Sequence, residues 1–93
     1  MVISTSDKID DLFSNFAEFL KEKNRRYGDA AINPIKIFSK AEANNQICNR
    51  LDDKLGRIQN STELKMNDVC DVFGYVALLM IQNDWFEFDD LLD

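Results

Sequence analysis

The sequence predicts an all-α protein: a compact bundle of three main helices with a long ordered loop between the first and second, completed by homo-oligomerisation. Three observations lead there. Apolar residues recur at helical spacing in three stretches. Helix-start signals precede the first and second of them. The third is apolar almost all round, which a chain of 93 residues is too short to enclose by itself.

In the first stretch, Ile9, Leu12, Phe13, Phe16, Phe19 and Leu20 fall within about a third of the helical circumference. Ser4, Thr5 and Ser6 are candidate caps ahead of Asp7, so helix one is expected from Asp7 to Asn24. The same face continues through Lys23 to Tyr27 until Gly28 stops it. The segment from Gly28 to Ser39 holds the one proline, and Asn33 before Pro34 is pushed toward extended geometry. Ile32, Ile35, Ile37 and Phe38 make it too apolar for a free linker, so an ordered loop is expected with Lys36 and Lys40 facing out.

Ser39 and Glu42 read as a capping box that opens helix two, running to Gln59. Its apolar face is Ala43, Ile47, Leu51, Leu55 and Ile58. At 100° per residue Lys54 falls inside that arc, with Arg50 and Arg57 along one edge and Asp53 just beyond. A polar turn, Asn60 to Lys65, leads to helix three, which begins at Met66 or Asn67. From Val69 to Ile81 this helix has the pattern of burial on every side, broken by a stripe of Asp68, Asp71 and Tyr75. The tail, Asp84 to Asp93, mixes Trp85, Phe86, Phe88, Leu91 and Leu92 with five acids and no base; a short amphipathic helix or a docking arm are both open.

The composition is that of a folded chain, with 45% hydrophobic residues and seven Phe. Cys48 and Cys70 have no metal-ligand spacing and there is no histidine, which argues against structural zinc; both read as buried thiols in a reducing compartment. Neither a signal-like start nor a membrane-spanning run is visible, so a cytoplasmic protein with no membrane partner is expected. No cofactor is expected. The net charge of −6 argues against a duplex nucleic-acid partner, but its distribution is uneven. Met1 to Leu20 carries −3, Lys21 to Arg57 carries +4 and Ile58 to Asp93 carries −7.

Two constellations stand out in the basic middle. Arg50, Asp53, Lys54 and Arg57 lie on helix two opposite Asp68, Asp71 and Tyr75 on helix three. These form either a salt-bridge network or, if cations stay unneutralised, a phosphate site in which Arg forks and a semi-enclosed Lys meet oxygens. Asp68 and Asp71 are an alternative metal pair. The second run is Lys21, Lys23, Asn24, Arg25, Arg26, Tyr27 and Gly28, followed by Lys36, Ser39 and Lys40. Basic residues at a helix C-terminus complement its dipole, yet Tyr27 beside two arginines also offers a stacking face next to phosphate donors. Because this run has no assigned acidic partners, a nucleotide ligand is sought here first.

An all-α magnesium-dependent nucleotide pyrophosphohydrolase needs several gathered carboxylates. Asp68 and Asp71 supply one pair, whereas Glu18 and Glu22 at i, i+4 and the adjacent Asp52 and Asp53 do not supply the other set. With no histidine and no activated nucleophile, no catalytic residue is assigned.

The runs KNRRYGDAAINPIKIFSK, RLDDKLGRI and DVCDVFGYVALL, within Lys23 to Leu79, resemble the phage and prophage nucleotide-modification-associated small helical domains. The resemblance singles out Asn24, Tyr27, Gly28, Arg50, Asp53, Lys54, Arg57, Asp71 and Tyr75, and it implies a nucleotide ligand. In size and expected assembly the chain also resembles viral sponges that neutralise CBASS or Thoeris immunity. That likeness implies sequestration of a cyclic oligonucleotide or ADP-ribose-type signal in the host cytoplasm, without chemistry. A third expectation is an interaction module acting through the acidic aromatic tail.

Overall fold

In the computed structural model, residues 3–27 and 43–92 are described, and every regular element among them is helical. They are α1 (Thr5–Tyr27), α2 (Ala43–Asn60), α3 (Met66–Gln82) and a 3₁₀ turn, η1 (Asp89–Leu91). The long loop and the Ser39–Glu42 capping box lie outside the described residues. None of the described helices is long and apolar enough to cross a membrane.

The chain divides into two compact units, residues 1–30 and 31–93. In the first, α1 opens on a reciprocal cap: the Asp7 backbone N–H donates to Ser4 Oγ at 3.1 Å and the Ser4 N–H to Asp7 Oδ2 at 3.3 Å. Ser4 is thus the capping residue among the three candidates, with Asp7 taking the place of the usual Glu. The stripe that defines the helix is well exposed: Ile9, Leu12, Phe13 and Phe19 keep 43–53% of their surface. Phe16 and Leu20 are half-buried, and the Phe16 ring lies 5.6 Å from that of Phe19.

In the second unit α2 and α3 form an antiparallel hairpin. Its open end is tied by a reciprocal amide pair, Asn44 to Asn83, at 3.0 and 3.1 Å, while Asn83 Nδ2 also donates to the Leu79 carbonyl at 2.7 Å. The connecting turn is held by Ser61, whose hydroxyl donates to the Glu63 carbonyl at 2.6 Å. Ala43 and Ile47 are the buried hydrophobic side chains among the described residues, and Leu51, Lys54 and Ile58 are half-buried beside them.

Several expectations change here. Leu55, assigned to the apolar face of α2, is 51% exposed. It shares the edge of the arc with Cys48, which is exposed too, so the reading of both cysteines as buried thiols fails; Cys70 is half-buried. Burial on every side is also not found for α3, where Gly74 is the buried residue and Val69, Val76 and Ile81 are exposed. A single partner helix covers one stripe of a cylinder, so an all-round apolar helix keeps the remainder open. The tail resolves the alternative between helix and arm as a single 3₁₀ turn with exposed Trp85, Phe86, Leu91 and Leu92.

Candidate functional site

On the last two turns of α1, the Arg25 fork grips Glu22 with Nη2 at 2.6 Å and Nε at 2.9 Å, and Arg26 Nε reaches the same carboxylate at 3.0 Å. One turn earlier Lys21 Nζ pairs with Glu18 at 3.2 Å. The expectation that this run has no acidic partners is therefore corrected for Lys21, Arg25 and Arg26: acids at i−3 and i−4 supply them from the same helix face. The guanidiniums hold the Glu22 carboxyl below its ordinary 4.5, and Glu22 raises Arg25 in turn. The cations and Glu18 are exposed and the Glu22 side chain keeps 44% of its surface, so each pair adds little stability and opens readily to a competing anion.

Two guanidiniums converging on one oxyanion is the geometry that a phosphate would use, with Glu22 as its internal stand-in. Lys23 Nζ sits 5.2 Å from the Phe19 ring centroid, its stem along the apolar stripe. Asn24 is half-buried on the same turn. The side chain of Tyr27, and Gly28, Lys36, Ser39 and Lys40 entire, lie outside the described residues.

The constellation of α2 and α3 is divided within the hairpin. Lys54 Nζ bonds Asp71 Oδ2 at 3.1 Å, with the two side chains 19% and 24% exposed. Arg50 and Arg57, along the edge of the arc, are exposed and make no ion pair among the described residues. Asp68 and Tyr75 are half-buried on α3, and Asp53 is exposed on α2. The expectation that Asp68 and Asp71 together neutralise the α2 stripe is thus met for one cation of three. Lys54 points inward from the middle of its face, whereas the edge positions diverge from α3.

Beside this brace lies an open groove of about 860 Å³, lined by Asp52, Asp53, Arg57, Lys65, Asp68 and Asp71 together with amides and the Ser61 hydroxyl. Four carboxylates face two free cations there, so the groove is acidic. Among the described residues no three acidic, Cys or His side chains come together to hold a metal ion. Lys65 and Asn67 were not singled out from the sequence; they enter because the turn at Ser61 folds the start of α3 over the end of α2.

No family model matches the chain, and neither a curated protein nor a solved structure proves similar to it.

Proposed function

We propose that the chain is a nucleotide-binding protein that holds its ligand by the phosphates and does not cleave it. The observation that carries this is the convergence of Arg25 and Arg26 on the single Glu22 carboxylate. A phosphate brings more charge and more acceptor oxygens than a carboxylate, and displacing an exposed ion pair costs little. The resemblance of Lys23 to Leu79 to phage nucleotide-associated domains supports a nucleotide over other phosphates. Sequestration of a cyclic oligonucleotide or ADP-ribose-type immune signal in a phage-infected host is the role that fits a site with no assigned catalytic residue. In this reading Lys54 braces the α2–α3 hairpin and Arg57 is available to a ligand.

The test is calorimetry with a panel of cyclic di- and trinucleotides and ADP-ribose derivatives, followed by denaturation and recovery of the ligand. Arg25→Ala and Arg26→Ala are each expected to weaken binding roughly tenfold to a hundredfold. Glu22→Gln removes the competing carboxylate and is expected to tighten it by up to about fivefold. Absence of binding across the panel, or binding indifferent to both arginines, overturns the proposal. Recovery of a cleaved ligand, abolished by Asp68→Asn or Asp71→Asn, would establish the hydrolase instead.

One observation favours a second reading, an interaction module. Trp85, Phe86, Leu91 and Leu92 are 58–82% exposed among Asp84, Glu87, Asp89 and Asp90, a composition suited to a partner surface that is apolar and basic.

A further inference from the structure

We propose that the clasp formed by Arg25 and Arg26 selects a terminal phosphate monoester over the singly charged phosphodiesters of a cyclic nucleotide. The inference rests on the nucleotide-binding reading and names the phosphate class that its site takes.

Glu22 shows what the clasp already holds. Arg25 Nε donates to Oε2 at 2.9 Å, Arg25 Nη2 to Oε1 at 2.6 Å and Arg26 Nε to Oε1 at 3.0 Å. Three N–H donors thus converge on two oxygens, and Oε1 is shared between the two guanidiniums. Any ligand has to displace this carboxylate, which is tethered one turn away on the same helix at an effective concentration on the order of millimolar or above.

A phosphodiester is a poor rival. It carries one negative charge on two unesterified oxygens, as a carboxylate does, so it offers the donors nothing that Glu22 lacks. Unlike Glu22, it also loses translational and rotational freedom on binding. A terminal monoester carries a charge of about −1.5 to −2 near pH 7 and has three acceptor oxygens, one for each donor. Both guanidinium side chains are more than two-thirds exposed, so such a group has access to them.

The two anions also respond differently to pH. Arg25 and Arg26 face Glu22 on α1, while Glu18 pairs with Lys21 one turn earlier and Lys23 Nζ lies over the Phe19 ring. The guanidiniums hold the Glu22 carboxyl below its ordinary 4.5, so the rival stays charged at pH 5. A monoester, whose second pKa is about 6, gains a proton there and loses its advantage.

The test titrates the full chain with adenosine 5′-monophosphate and adenosine 3′,5′-cyclic monophosphate, which share base and sugar. Binding is followed on the Arg25 and Arg26 Nε–H resonances by NMR and, in the variants, by calorimetry. At about pH 7.5 the monoester is expected to bind at least about tenfold tighter. At about pH 5 it is expected to fall to within about threefold of the cyclic diester, whose own affinity stays constant. Glu22→Gln removes the rival for both ligands and is expected to tighten both, whereas the double variant Arg25→Ala, Arg26→Ala is expected to lose the preference. Equal or tighter binding of the cyclic diester, a monoester affinity flat with pH, no tightening in Glu22→Gln, or a preference that survives the double variant overturns the proposal. A monoester that does not bind overturns it as well. If a cyclic dinucleotide then binds through the two arginines, the nucleotide-binding reading stands without this inference; if no nucleotide binds, both fall.

Discussion

Lys54 shows how much of a residue's role helical geometry alone can assign. Its place within the apolar arc of α2 is readable at 100° per residue, and a cation there needs a partner. The structure supplies Asp71 at 3.1 Å. With both side chains about four-fifths buried, removing one leaves the other poorly solvated. Lys54→Met should therefore cost about 1–2 kcal/mol in urea unfolding, while adding Asp71→Leu should recover most of it. A double variant as unstable as the single one would show that the cost lies in packing. Glu22 was legible only in part. Its spacing to Arg25 and Arg26 is the ordinary helical one, but four bases in the six residues from Lys21 to Arg26 mask the single acid that organises them. Because Glu22 has a lowered pKa in the fold, its pairs contribute above the ordinary 4.5 and fade as the pH falls through the lower folded value.

At the scale of elements, the helices were legible, as were the start of α3 at Met66 and the end of α2 to within a residue, but the exit of α3 was not. The apolar period places α1, α2 and α3, but the exit of α3 depends on backbone geometry that no side chain announces. Asn83 is its C-cap, Asp84 follows at φ 58°, and the Trp85 N–H donates to the Met80 carbonyl at 2.9 Å while the Asp84 N–H donates to Ile81 at 3.1 Å. This is a Schellman closure in which an aspartate occupies the left-handed position that glycine usually takes. Asp84→Gly should raise the unfolding free energy by up to about 1 kcal/mol, since glycine adopts that conformation without the Cβ clash. A decrease in the chemical-denaturation midpoint would show that the Asp84 side chain contributes something the backbone argument omits. Asn83 escaped notice for a related reason: its partner Asn44 is 39 residues away, and such a pair becomes visible only once the hairpin is closed.

For the molecule as a whole, the fold class follows from periodicity, whereas the extent of burial does not. An apolar helix such as α3 announces that its surface wants cover without saying whether the cover comes from the same chain. Within the described residues the buried apolar side chains are Ala43 and Ile47, while Val69, Val76, Trp85, Phe86, Ile9, Leu12 and Phe19 are exposed. The apolar side chains left exposed among the described residues lead us to expect that association contributes to stability. If a dimer is the folded species, a tenfold rise in protein concentration adds about 1.4 kcal/mol per dimer, and Tm should climb by roughly 3–5 °C. The expected result is such a climb for each tenfold step from micromolar to millimolar chain, followed by differential scanning calorimetry. A chain ending at Trp85 then assigns the contact. A climb that survives the truncation places association on helical faces; one that vanishes places it on the acidic aromatic tail. A Tm independent of concentration would mean that one copy supplies its own cover.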